Sequence, residues 1–245
     1  MDTTLYVSLS HQAAMRRRLD VIAHNIANMN TTAFKKESIV FQQFLVDQQG
    51  LAPTVKGQVA YVQDYGLVRD TKPGTFTPTD NPLDVAIEGR AYLAVRAPSG
   101  EVFYTRNGRM RIDGDGLLTT LNGERVLDDD NQEIALAPDD TDLAIARDGT
   151  ISSQLGPVGK LQLVNFADEQ RMKRVGNSLY ETDEAPRPAE DAVLLQRTVE
   201  GSNVNAIEET TLMIDVMRNY QSVQRSLDSY QELRKRAIDR LARVQ

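Results

Sequence analysis

Residues 205–245 read NAIEETTLMIDVMRNYQSVQRSLDSYQELRKRAIDRLARVQ, and this stretch decides the fold. Met213, Val216, Tyr220, Val223, Leu227, Tyr230, Arg234, Ala237, Leu241 and Val244 recur at alternating steps of three and four, and only Arg234 breaks the apolar series. A repeat averaging 3.5 residues keeps a narrow stripe against a neighbouring helix and winds the pair left-handedly. Asn205, with Glu208 three residues on, supplies a helix start. Arg234, Lys235, Arg236, Arg240 and Arg243 lie near the end, where cations suit the helix dipole. The spacing predicts a long helix built to pair.

Working outward, a second stripe lies near the other end of the chain. Met15, Leu19, Ile22, Ile26 and Met29 alternate four and three, with Leu5 and Leu9 extending the series less regularly. Arg16-Arg17-Arg18 reads as a solvated face between seam positions. From Asn28, the run Asn-Met-Asn-Thr-Thr favours a stop, because these short polar side chains compete for the helix backbone. Both stripes are narrower than the face a helix turns to a globular core. An isolated helix pair buries little: each seam residue contributes about 1.5–3 kcal/mol only when fully buried. Ordering each residue costs about 1–2 kcal/mol of backbone entropy. Both helices therefore read as assembly elements that neighbouring subunits complete.

No glycine precedes Gly50 or follows Gly201, and all nine prolines fall at positions 53–188. Two breaker-free flanks thus enclose a middle rich in turn formers. Residues 1–36 carry five Lys/Arg against two Asp/Glu, and residues 205–245 carry seven against six. The flanks sum to +4 and the middle therefore holds −11, against a whole-chain charge of −7. An acidic middle with weakly basic ends lacks the concentrated basic face that nucleic acid requires. No apolar run approaches the ~20 residues of a membrane span, and residues 5–9 are too short for a cleavable signal.

Residues 36–75 read as an extended connector, with 39–46 apolar enough for a strand or short helix. From Lys72-Pro73-Gly74 the period changes to two, and short strands are predicted at 83–87, 92–95, 102–105, 110–112, 117–120, 125–127, 134–136, 143–146, 161–166 and 193–199. Asn122-Gly123 marks a hairpin and Asp113-Gly114-Asp115-Gly116 another turn. This density of strands suggests a barrel or sandwich. The fold class is α+β, with long terminal helices pairing as a coiled coil around an inserted all-β domain. Its parts are an N-terminal helix (1–35), a connector (36–75), a β-rich domain (76–200) and a C-terminal helix (201–245).

Little here could do catalysis. His11 and His24 stand thirteen apart on the N-terminal helix, which is no metal spacing, and there is no cysteine. Asp113, Asp115 and Asp128-Asp129-Asp130 read as turn residues, since the acidic residue closing a calcium loop is missing. There is no phosphate loop and no nucleophile elbow. No cofactor, metal or small-molecule substrate is expected, and the chain does not read as an enzyme. An enzyme site in the β-domain and a coiled-coil adaptor that holds a cytoplasmic partner are the rival readings.

Three separated motifs carry a resemblance. Residues 20–35, DVIAHNIANMNTTAFK, resemble the signature of bacterial flagellar rod and hook proteins, as do Gly201-Ser202-Asn203-Val204-Asn205, Met213-Ile214 and Arg218-Asn219-Tyr220. Residues 82–89, PLDVAIEG, and 104–108, YTRNG, are similar to the central motifs of the larger members. One departure is Ala33, where the family has Gly; a positive φ there would cost Ala about a kilocalorie. Chain length fits members with a single inserted domain, the proximal rod type before the distal one. The resemblance implies a flagellar basal-body subunit in the rod that spans the periplasm. It implies export by the flagellar type III apparatus without signal cleavage, and rod subunits, including further copies of itself, as partners. The assembly residues expected from it are Leu5, Leu9, Met15, Leu19, Ile22, Ile26 and Met29 on one helix. On the other they are Met213, Val216, Tyr220, Val223, Leu227, Tyr230, Leu241 and Val244.

Overall fold

The computed structural model describes residues 3–47, 58–137 and 142–242. They form two units, each drawn from separated parts of the chain. The terminal unit comprises Met1–Ala27, Glu37–Asp70 and Asn205–Gln245, and the central unit Asn28–Lys36 and Thr71–Val204.

In the terminal unit, helix α1 spans Thr3–Ala27 and helix α2 spans Ala206–Ala242. The Asn205 side-chain oxygen caps α2 by accepting from the amides of Ile207 (3.0 Å) and Glu208 (3.4 Å). α1 stops where the Asn-Met-Asn-Thr-Thr run begins, and the amide of Thr31 turns back to the Asn28 carbonyl. The helices run antiparallel: Gln12 Nε2 donates to Gln224 Oε1 at 2.6 Å, and Asn25 Nδ2 to Glu209 Oε2 at 3.0 Å.

The expected connector at 36–75 is instead largely folded. Strands β1 (Glu37–Asp47) and β2 (Gln58–Arg69) pair antiparallel, from Glu37 opposite Arg69 to Asp47 opposite Gln58, with one register shift at Val40/Phe41. Gly50, Pro53 and Gly57, the turn formers of this segment, lie outside the described residues. Asn25 of α1 holds the open end: its Oδ1 accepts from the Glu37 amide at 3.0 Å and its Nδ2 donates to the Glu37 carbonyl at 2.8 Å.

The central unit is built from antiparallel strands. Its main sheet runs, in spatial order, Lys173–Gly176, Leu179–Glu181, Val102–Thr105, Tyr92–Arg96, Arg125–Val126, Leu118–Thr120 and Met110–Ile112. Leu163–Asn165 pairs with Tyr92–Arg96 and with Arg187–Pro188. Tyr92–Arg96 is buried on both faces, hence its nearly unbroken apolar run. One face meets the main core, with Leu93, Val95, Leu118, Val126, Leu161 and Leu194 all at 1 % exposure or less. Beside it sits a second cluster of Tyr92, Phe166, Tyr180 and Tyr104, packed edge-to-face at centroid distances of 4.7–6.0 Å.

Of the barrel or sandwich expected, no closed barrel forms among the described residues, and the smaller sheets 85–88/193–196, 76–78/198–200 and 144–145/150–153/156–160 are separate. The strand expected over 193–199 is split in two by Arg197, at φ +55°. Asn122-Gly123 does turn a hairpin, with Gly123 at φ +97° and its amide bonded to the Thr120 carbonyl. Asp113 Oδ1 accepts from the amides of Asp115 and Leu117. Asp128 Oδ1 accepts likewise from Asp130 and Gln132, so both side chains serve turns.

Candidate assembly site

Parts of the motifs that carry the resemblance meet in the central unit, and the rest lie on the helices of the terminal unit. The segment Thr31-Thr32-Ala33-Phe34-Lys35 runs beside residues 200–203: the amide of Ala33 donates to the Glu200 carbonyl (2.7 Å), and that of Asn203 to the Phe34 carbonyl (3.3 Å). Between them lies a buried ionic knot. Glu200, at 1 % exposure, receives Lys35 Nζ on one oxygen and the Arg106 guanidinium, at 3.1 Å, on the other. The Gly74 amide also donates to that first oxygen, at 3.1 Å. Lys35 Nζ makes a further bond to the Lys72 carbonyl at 2.7 Å. Arg106 spends its remaining donors on the carbonyls of Ile87, Gly89 and Ala91 at 2.8–2.9 Å. Every charge is thus both paired and hydrogen-bonded, the condition under which a buried ion network is tolerated.

Neighbouring motif residues are explained by the same knot. Gly108 lies so close to Val85 that a Cβ would come within 2.0 Å of the Val85 carbonyl oxygen, and a Cβ on Gly74 would meet Gly201 as closely. Asp84 accepts from Thr79 Oγ1 and Asn81 Nδ2, bracing the turn before strand 85–88. Phe34 is buried under the Arg174 guanidinium, 4.6 Å from its ring centroid. Ala33, buried and at φ +57°, adopts the left-handed backbone that glycine takes without cost. Residues 31–35, 82–89, 104–108 and 201–204 thus fix the central unit, while the motif residues on the helices belong to the terminal unit.

The seams lie in the terminal unit. Ile22 and Val216 are buried, while Met15, Leu19, Ile26, Met213, Tyr220, Val223 and Leu227 are half-buried. Leu9 is 59 % exposed and Tyr230 is exposed; Met29 is exposed too but belongs to the central unit. The side chains of Leu5 and Leu241, and all of Val244, lie outside the described residues. Ala14, Val21 and Asn25 complete the buried side of α1, so its inward face is wider than the expected stripe.

Two polar residues escaped the sequence reading. Asn25 and Glu209, both at 1 % exposure, are hydrogen-bonded to each other on the inward faces. Glu209 stands four residues before Met213, where the three-and-four repeat continues backwards. That spacing was the available signal, masked by the charge of the side chain. A polar pair at a seam position fixes register, as a buried Asn does in paired helices.

Two antiparallel helices with half-buried seams, together with a separately cored β-unit, define a class: structural subunits rather than single compact domains. Comparison with known proteins gives the family. Profiles described as flagella basal body rod protein, flagellar hook protein FlgE/F/G D1 domain and flagellar basal body rod FlgEFG protein C-terminal match residues 5–35, 86–153 and 195–240. The chain is 38 % identical to the flagellar basal-body rod protein FlgF of Caulobacter vibrioides, over the whole of both chains. It is 33 % identical to that of Mesorhizobium japonicum, covering 91 % of this chain and 90 % of the relative. Identity to the Caulobacter rod protein FlgG is 31 %, over 89 % and 91 %. The chain belongs to the flagellar basal-body rod protein family.

Proposed function

We propose that this chain is a structural, non-enzymatic subunit of the flagellar rod, the drive shaft of the basal body, and of the FlgF type. One bacterium, Caulobacter vibrioides, holds both kinds of relative, and this chain is closer to its FlgF than to its FlgG. The same margin makes a distal, FlgG-type subunit the second reading.

In this reading α1 and α2 pair as a coiled coil, and neighbouring rod subunits cover what the seam leaves bare. Met15, Leu19 and Ile26 on α1 and Met213, Tyr220, Val223 and Leu227 on α2 are each only half-buried by the subunit itself. That incomplete burial is the observation that carries the mechanism, since an apolar side chain contributes its full 1.5–3 kcal/mol or so only when water is excluded. The partners are other rod subunits and further copies of this chain. The route is the flagellar type III export apparatus without signal cleavage, and the place is the periplasm-spanning rod.

Leu227→Asp tests it. The variant is expected to leave the central unit folded, to be missing from purified basal bodies and to abolish swimming. Normal swimming by that variant would sink the seam mechanism, and a chain that fractionates with a soluble cytoplasmic partner would sink the rod reading itself.

A further inference from the structure

Each helix carries a second row on the side turned away from its partner. On α2, Ile207, Ile214 and Met217 are 79 %, 46 % and 45 % exposed, large apolar side chains outside the seam, with Thr210 and Thr211 in the turn between the first two. Glu208 and Asp215 flank them, both exposed. On α1 the outward positions Leu9, Ala13, Arg16, Asp20, Ala23 and Ala27 also alternate four and three, and all are exposed. One row offers bulky knobs with Glu208 and Asp215 beside them and Arg218 one turn past Ile214, the other small side chains with Arg16 among them and Arg17 beside it.

We propose that these two rows meet between copies of this chain, the outward face of α2 in one copy docking on the outward face of α1 in the next. This rests on the rod reading and names the contact by which identical neighbours adjoin. The complementarity is of size, apolar knobs against alanines that let helix axes approach closely, and of charge.

The charges also set an offset. Asn25 opposite Glu209 and Gln12 opposite Gln224 fix the register inside the subunit. On it Asp20 stands level with about Asp215, and Arg16 with about Arg218, at a rise of about 1.5 Å per residue. Copies side by side at equal height, about an axis along the helices, would put like charges together. Sliding one copy by roughly 5 Å brings Arg16, with Arg17 next to it, to Asp215, and sets Ile207 beside Ala23 and Ala27. Two different faces joined at a fixed axial offset do not close into a flat ring; they build a helix.

The cysteine-free sequence makes the test clean. Full-length chains carrying Ala23→Cys or Ile207→Cys singly are co-expressed in a flagellated strain lacking its own copy, and basal bodies are oxidised. A disulfide-linked dimer is expected from the mixture and not from either chain alone. In a second arm, Asp215→Arg lowers recovery in basal bodies about tenfold, and Arg16→Asp in the same chain restores it. Basal bodies that contain both cysteine chains but no crosslink, or a charge reversal without rescue, overturn this docking and leave the rod reading standing. Absence of all the chains, wild type included, from basal bodies overturns both.

Discussion

The two units bury their side chains to different extents, and the difference separates a cored domain from a half-wet helix seam. In the central unit Glu200 has two cations and a backbone amide, and around it lies a core of side chains with almost no exposure. In the terminal unit, among the described residues of α1 and α2, only Ala14, Val21, Ile22, Asn25, Glu209 and Val216 are buried, and the seam is half wet. The first has the burial of a self-sufficient domain. The second leaves most of its helix side chains half-buried or exposed, the incomplete burial on which the proposed assembly rests.

The sharpest way to break that contrast is Glu200→Ala. It leaves Lys35 and Arg106 buried with no anion, a change that costs about 3–5 kcal/mol. The main-sheet strands should lose amide-exchange protection by a corresponding factor; unchanged protection would mean the knot does not hold the unit together. A smaller effect is expected for Asn25→Ala, which removes the hydrogen bonds that Asn25 makes to Glu209 and to the Glu37 backbone at a cost of about 1–3 kcal/mol. The loss should appear in α1, α2 and the start of β1 and spare the central unit. Equal losses in both would show that the units are not separate. Smallest of all, Ala33→Gly relieves the left-handed backbone but gives up a buried methyl, so urea denaturation should show a gain of about 1 kcal/mol or less. A clear destabilisation would show that the methyl packs more usefully than the backbone is strained.

What could be read in advance divides along the same line. The helices were legible because a 3.5 repeat needs no tertiary information, and Ile22 and Val216 emerged from spacing alone. The hairpin at Asn122-Gly123 was legible because a two-residue turn has its own chemistry. The strand Gly156–Lys160 was not, since Gly-Pro-Val-Gly-Lys carries two glycines and a proline and takes its strand form from its neighbour Thr150–Ser153. Nor was the β1–β2 ribbon, whose turn formers outweighed the apolar runs on either side. Glu200 lay unnoticed at the end of an apolar strand because its partners stand 94 and 165 positions away. The candidate surface was legible only on its inward side. The second rows of α1 and α2 mix Ile and Met with Glu, or Ala with Arg, and show no apolar stripe until the inward faces are assigned.

The distance between Lys35 and Glu200 has a consequence for the order of events. The carboxylate receives one cation from near the beginning of the chain and another from its middle, so the full knot needs all three segments. A fragment that stops before Glu200, or one that starts after Lys35, leaves the knot without one of its charges. Completion of the β-unit therefore depends on residues from both of its ends.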